Sequence, residues 1–195
     1  MDRATSGSRT ALLVLDIIPV VVPAFGGDDD MLEQLRRATE AARDAKIPVI
    51  YVRVAFRPGY PDVSDSNALF GPLRDMLDFT ETNADTGVHA SVAPKDGDIV
   101  VTKRRVSAFA GSDLDVVLRS LRVDRLVLAG VATSGVVLST VRQAADLDFE
   151  LTVLSDGCGD GDPEVHRVLM EKVFPTQATV ATTEEWITEL KAAGA

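Results

Sequence analysis

The stretch that decides the fold is Leu126-Val-Leu-Ala-Gly-Val-Ala-Thr-Ser-Gly-Val-Val-Leu-Ser-Thr140. Its apolar start predicts a buried strand, which leads through a tight turn at Gly130 into a helix. This geometry commonly holds a nucleophile or binds an anion, because the first turn of a helix presents N–H groups without partners. No cysteine lies at the turn, and the single thiol of the chain, Cys158, comes well downstream. What the protein does therefore depends on that absence.

Working outward, short apolar runs rich in β-branched residues recur at strand length. We predict strands at 11–15, 48–54, 98–102, 125–129, 150–154 and 178–181. Amphipathic segments between them predict helices at 30–45, 113–122, 134–146, 163–174 and 183–193, with a possible short helix at 66–78. Strands and helices in alternation predict an α/β fold, a doubly wound and mainly parallel six-stranded sheet with helices on both faces.

The length of 195 residues fits a single domain, which we place at 10–195 after a flexible N-terminus at 1–9. Within it, the segment 56–97 interrupts the alternation with prolines and glycines. Such an irregular excursion can cover a pocket or form a subunit contact.

Composition excludes several classes of function. The net charge of −10 argues against nucleic acid as a partner, and the basic run 103–105 is too short to form a phosphate-binding patch. One cysteine and two histidines leave no disulfide and no convincing metal-ligand set, so we expect no metal and no cofactor. The N-terminus lacks the apolar core of a signal peptide, and no apolar run approaches the roughly 20 residues that span a bilayer. We therefore expect a cytoplasmic protein with no membrane partner.

Three candidate site elements fall at the carboxyl ends of predicted strands, where ligands bind in open α/β sheets. Asp16 ends the first strand, and its carboxylate is either a paired group in apolar surroundings or a cap that faces solvent. Lys103 follows the third strand, and its ammonium either joins a site or extends to the surface. Apart from these three elements, Arg53 near the end of the second strand is a candidate for substrate contact or for pairing with an acid.

The third element is the turn itself. Gly130 permits an unusual backbone or a close approach, and Thr133 and Ser134 can cap the helix. Amides at the helix start can hold an oxyanion or a substrate carboxylate. Ordinary capping explains the hydroxyl groups equally well.

In their order and spacing these pieces resemble the isochorismatase-like superfamily, also called the cysteine hydrolases, which includes isochorismatases, nicotinamidases and N-carbamoyl amide hydrolases. The resemblance spans about residues 11–186. It is carried by Leu12-Leu-Val-Leu-Asp16, by Lys103 with Ser107-Ala-Phe109, and by Gly130-Val-Ala-Thr133 with its continuation to Thr140.

The resemblance implies catalytic roles for Asp16 and Lys103 and a non-proline cis peptide bond at Val131–Ala132. It implies a nucleophilic cysteine where this chain has Val136, which carries no nucleophilic atom. Cys158 lies in a loop that resembles a non-catalytic part of the family pattern. Where members often have glutamine, this chain has Ile18, and the metal-binding positions of nicotinamidases have no counterpart.

Two hypotheses follow. In the first, a hydrolase acts on a small anionic or carbonyl-containing molecule by acid–base chemistry of Asp16 with Lys103. The residues expected to contact substrate are Val136, Gly135, Ala132, Thr133, Arg53, Ile18 and Phe109. In the second, the chain is a binding or scaffold protein that lost catalysis with the thiol. The resemblance further implies a homodimer or homotetramer.

Overall fold

A computed structural model describes residues 9–193, which contain one six-stranded sheet whose neighbouring strands all pair in parallel. The strands are β1 (Thr10–Leu15), β2 (Val49–Val54), β3 (Ile99–Lys103), β4 (Arg125–Val131), β5 (Glu150–Gly159) and β6 (Thr179–Ala181). Their order across the sheet is β3-β2-β1-β4-β5-β6. The predicted doubly wound α/β fold is therefore confirmed.

Helices connect these strands. They are α1 (Asp29–Asp44), α2 (Phe70–Met76), α3 (Leu114–Leu121), α4 (Leu138–Asp146), α5 (Pro163–Val168) and α6 (Thr183–Ala193). The predicted helix 134–146 is divided, because the turn Thr133–Val137 is wound as a π-helix before α4 begins. The predicted helix 163–174 likewise continues past α5 as a π-helical turn, Leu169–Val173.

The helices form a layer on each face of the sheet. One core holds alternate sheet residues such as Leu12 and Val127 together with residues of α1 and α6. The other holds the intervening residues, such as Leu13 and Leu128, with residues of α3 and α4. Both faces of the strands are thus buried, which explains why their sequences are apolar throughout rather than alternating.

The strand order reverses between β1 and β4, since the chain builds outward from β1 in one direction and from β4 in the other. Ligand sites of doubly wound sheets form at this switch point, beyond the carboxyl ends of the strands. Gly130 lies there with φ +148°, and a Cβ atom on it would approach the Leu15 carbonyl oxygen to 2.1 Å. Glycine at this position therefore allows the ends of β1 and β4 to approach each other.

Of the predicted flexible segment 1–9, residues 1–8 lie outside the described residues. The Arg9 N–H donates to an Asp124 carboxylate oxygen at 2.8 Å, at the start of the described chain. Within residues 9–193, no helix is long and apolar enough to cross a membrane.

Candidate active site

Asp16 is placed directly after β1 by a left-handed backbone conformation, φ 52°, which aspartate tolerates better than most residues. The side chain is buried. Its Oδ1 accepts a hydrogen bond from the Val54 N–H at 2.8 Å, and its Oδ2 lies 2.8 Å from Lys103 Nζ. The alternative of a cap that faces solvent is therefore excluded.

Lys103 is the last residue of β3 and is only 1% exposed. Besides its ion pair with Asp16, its Nζ donates to the Arg105 carbonyl oxygen at 2.9 Å. The ammonium thus points inward to two fixed acceptors and does not extend to the surface. Its Nζ carries three protons, so one donor remains beyond these two contacts.

Burial raises the pKa of the Asp16 carboxyl above its ordinary value, and the charge and hydrogen bond of Lys103 and the bond from the Val54 N–H oppose that rise only in part. Desolvation disfavours the charged carboxylate, so the acid holds its proton at a higher pH than an exposed aspartic acid does. Such a group can exchange a proton closer to neutral pH, as acid–base catalysis requires.

The turn after β4 forms the opposite side of the site. The peptide bond Val131–Ala132 is cis, as the resemblance implied. The N–H groups of Gly135 and Val137 both donate to the Ala132 carbonyl, at 3.0 and 3.3 Å. The Ala132 N–H makes no hydrogen bond to any other residue that the structure describes, so it remains available as a donor.

Hydrogen bonds of two polar side chains, those of Thr133 and Asp160, hold this turn in place. The Thr133 hydroxyl donates to the Gly159 carbonyl at 2.9 Å and lies 2.9 Å from His166 Nδ1. A hydroxyl has one proton, so the imidazole must donate through Nδ1 in the second bond. The Asp160 carboxylate accepts from the Ser134 N–H at 2.7 Å. These bonds set the backbone of the turn.

Between Asp16, Lys103 and the turn lies a cavity of about 410 Å³. Three polar side chains line it, those of Asp16, Lys103 and Ser134. The rest of the lining consists of Val21, Phe25, Val54, Val106, Val131, Ala132, Gly135 and Val136, with Leu69, Phe70, Leu73 and Phe79 from the excursion. The site is therefore a small apolar cavity with one ion pair in its wall.

The sequence-predicted residues divide between this cavity and other places. Ala132, Gly135 and Val136 line the cavity together with the ion pair. Arg53 does not, because its guanidinium binds the Thr86 carbonyl at 2.9 Å and the Thr102 hydroxyl at 3.2 Å. It holds the excursion to the sheet and is not placed to contact a ligand in the cavity.

Three further candidates are not among the residues that line the cavity. Ile18 is fully buried in the core on the α1 face. Phe109 packs in the opposite core, with its ring centroid 6.1 Å from that of Phe149. The Thr133 side chain is committed to Gly159 and His166, as described above. Their parts in the structure are packing and support of the turn.

Sequence reasoning missed the wall that the excursion contributes. Leu69, Phe70, Leu73 and Phe79 reach the cavity from the excursion, where the predicted short helix at 66–78 is observed as α2 (Phe70–Met76). The one available signal was apolar residues concentrated in an otherwise irregular segment. Of the two interpretations of the excursion, this placement favours the cover of a pocket.

Cys158 lies inside β5, which extends five residues beyond its predicted end. Its neighbour in the sheet is Gly130, which in turn pairs with Leu15, so two strand spacings of about 4.8 Å each separate Cys158 from the end of β1. The thiol is buried, does not line the cavity, and has its pKa raised by burial to about 12. It is neither placed nor ionised to act as the nucleophile of this site.

Among residues 9–193, no group of three or more histidine, cysteine, aspartate or glutamate side chains is arranged to hold a metal ion. The polar chemistry of the cavity rests on the ion pair, the Ser134 hydroxyl and the backbone of the turn.

Comparison with known proteins assigns this chain to a family. The isochorismatase domain matches residues 10–185, and the chain therefore belongs to the isochorismatase family. The isochorismatase family protein YecD of Escherichia coli O157:H7 is 32% identical over 95% of this chain and 98% of its own length. The maleamate amidohydrolase of Pseudomonas putida is 26% identical, with 97% and 91% covered.

A solved structure shows the same fold. The cysteine hydrolase of Pseudomonas syringae pv. phaseolicola superposes with a TM-score of 0.86 at 26% identity, covering 95% of this chain and 93% of that one. The chain therefore has the fold of this family, and members of the family are hydrolases.

Proposed function

We propose that this chain is a hydrolase of small molecules that carry an amide, lactone or vinyl ether, and that it works by proton transfer through Asp16 and Lys103 without a thiol nucleophile. One observation carries the proposal. The buried ion pair opens onto a cavity whose turn presents Val136 where the family resemblance expects cysteine, while the only thiol, Cys158, lies outside the lining. The maleamate amidohydrolase relative supports the amide class.

The energetics of the ion pair support a chemical role. Removing two charges from water costs several kcal/mol per ion, and a buried ion pair is often no more stable than apolar residues of similar volume. Here the pair is nearly inaccessible and the surroundings are apolar. A fold that needed only packing would gain from two apolar side chains at these positions, so their charge points to a function.

Two balanced reactions fit this site. With a vinyl ether, the protonated Asp16 gives its proton to the terminal alkene carbon, and water adds to the resulting oxocarbenium ion and returns a proton to the carboxylate. The hemiketal then breaks its C–O bond and releases an alcohol and a carbonyl compound. With an amide, the carboxylate takes a proton from the attacking water and passes it to the leaving amine. In both cases Lys103 stabilises the carboxylate form of Asp16 when it appears.

The turn supplies the second element of this mechanism. The Ala132 N–H, which has no partner among the described residues, is a donor for a substrate oxygen that gains negative charge. The ordered bonds of Thr133 and Asp160 keep this backbone fixed, so no reorganisation is needed when the charge develops.

The test is a panel of vinyl ethers, amides and lactones assayed with the wild-type protein and with Asp16→Asn. Asparagine tolerates the left-handed backbone, and circular dichroism with urea denaturation checks that the variant, which leaves the buried Lys103 ammonium without its partner, is folded under the assay conditions. We expect a loss of about 10²- to 10⁴-fold in turnover of the best substrate, the usual contribution of a general acid or base. Equal rates in both proteins would instead support the second hypothesis, a binding or scaffold protein on this fold.

Two further predictions accompany this function and stay predictions: a homodimer or homotetramer, and a cytoplasmic location.

A further inference from the structure

We propose that this cavity selects neutral, mainly apolar molecules and rejects those that carry a carboxylate. The inference rests on the site of the proposed function and narrows its substrate class. It is notable because maleamate, the substrate named for one relative, is itself a carboxylate.

The charges of the cavity wall disfavour an anionic ligand. Of the described residues that line it, the only charged ones are Asp16 and Lys103, and they neutralise each other at 2.8 Å. When Asp16 is ionised, a substrate carboxylate has to compete with it for the ammonium and meets its negative charge at the same time. Like charges at one site disfavour each other strongly in apolar surroundings.

The guanidinium groups of three neighbouring arginines are hydrogen-bonded to other parts of the protein. The Arg104 side chain donates to the Ala55 carbonyl and binds a Glu81 carboxylate oxygen at 2.6 Å. The Arg105 side chain donates to the Asp62 carbonyl at 2.9 Å. Arg53 is held by Thr86 and Thr102, as described above. None of the three lines the cavity, so none is placed to receive an anion there.

The donors and the apolar surface of the cavity fit a neutral ligand. The third Lys103 proton, the Ala132 N–H and the Ser134 hydroxyl can each bind an uncharged carbonyl or ether oxygen. Phe70, Leu73 and Phe79 offer an apolar surface for the rest of the molecule. The volume of about 410 Å³ lies at the small end of the roughly 300–1,000 Å³ typical of ligand pockets. A single ring with a short polar group fits this description.

The experiment compares two ligands of nearly equal shape, 4-methylbenzamide and 4-carboxybenzamide, by calorimetric or NMR titration of the wild-type protein near neutral pH. We expect the neutral amide to bind at least about tenfold more tightly, which corresponds to about 1.4 kcal/mol. Equal or tighter binding of the carboxylate would overturn the proposal. Absence of binding by the neutral amide at millimolar concentration would overturn it as well.

Two matched variants test whether the charge of the cavity wall causes the preference for the neutral ligand. Leu69 lines the cavity and is 46% exposed, so Leu69→Lys adds a cation at the cavity without burying it. Met76, at the other end of α2, is 75% exposed and does not line the cavity. We expect Leu69→Lys to raise the affinity for 4-carboxybenzamide several-fold and Met76→Lys to leave it unchanged, although both add the same charge. Equal effects of the two variants would contradict selection by the cavity wall.

The titration gives the affinities, and NMR spectra of the two ligands detect any cleavage of the amide, so binding and turnover are determined separately. A cavity that prefers the neutral ligand but gives equal rates for wild type and Asp16→Asn would uphold this inference and reject the proposed hydrolysis.

Discussion

Two ion pairs with little exposure lie at opposite edges of the sheet and behave differently. At the amino edge, Arg43 of α1 binds Asp98, just before β3, at 2.6 Å and also donates to the Tyr51 hydroxyl at 2.9 Å. At the carboxyl edge, Asp16 pairs with Lys103 beside the cavity. The first pair ties a helix to the sheet. The second has a cavity in front of it and donors to spare, so the comparison separates a structural pair from one available to a ligand.

The comparison is tested most strongly by removing one cation from each pair. Lys103→Met leaves the Asp16 carboxylate buried without its partner, and we expect the free energy of unfolding to fall by about 3–5 kcal/mol at pH 8. Arg43→Met should cost less, about 1–3 kcal/mol, because the Arg43 side chain is 20% exposed and the Asp98 carboxylate keeps the Lys95 N–H as a donor. Urea denaturation measures both. Hydrolytic activity should be lost in the first variant and stay within about twofold in the second.

The loss in Lys103→Met should also depend on pH. Without Lys103, burial acts on the Asp16 pKa with less opposition, so the folded protein holds a proton that the unfolded chain releases. Stability is then greatest below the ordinary pKa of aspartic acid and declines as pH rises towards the raised folded value. Denaturation at pH 5 and pH 8 should show the variant closer to wild type at pH 5, and Asp16→Asn in the same chain should remove the difference. If the variant lost the same free energy of unfolding at both pH values, packing and not charge would stabilise this edge of the sheet.

The pH dependence of turnover should also depend on the pair at the carboxyl edge and not on the pair at the amino edge. For a vinyl ether, only protonated Asp16 is active, so the rate should fall with rising pH, by up to about tenfold per unit above its pKa. Because burial raises that pKa, the fall should begin above the region of an exposed aspartic acid. The Arg43→Met profile should superpose on wild type. A profile that rises with pH for this substrate would show that Asp16 is not the acid.

The smallest effect concerns the thiols. Cys158 should react slowly with iodoacetamide, because it is buried and its pKa is raised to about 12. Val136→Cys places a second thiol in the cavity lining, and we expect it to be alkylated at least about tenfold faster than Cys158 under the same conditions. Intact mass and peptide mapping measure the two rates. Preferential labelling of Cys158 would mean that the lone thiol is more accessible than its place in β5 implies.

Much of the fold could be predicted from sequence, because alternating strands and helices leave few arrangements for a buried parallel sheet. Asp16 and Lys103 could be found in the same way, since polar residues that end apolar strands gather at one edge of such a sheet. The family resemblance added two predictions that local patterns do not contain. These are the cis peptide bond and the expectation of a cysteine where this chain has Val136.

The substrate contacts were harder to predict, because they depend on the direction in which each side chain points as well as on its position in the sequence. Arg53 and Val54 are adjacent in β2, yet neighbouring strand residues point to opposite faces, and Val54 alone reaches the cavity. Ile18 follows Asp16 by two residues, but the left-handed backbone at Asp16 redirects the chain into the core. The short helix that carries Phe70 was predicted from the sequence, but its docking against the site depends on contacts between residues far apart in the chain, which local patterns do not reveal.

The central claim is best tested by turnover in a chain without any thiol. We predict that Cys158→Ala hydrolyses the best substrate of the panel at a rate within about twofold of wild type, and that adding Asp16→Asn lowers that rate by at least about 10²-fold. Loss of activity in Cys158→Ala alone, or equal rates with and without Asp16→Asn, would contradict proton-transfer catalysis by the buried pair.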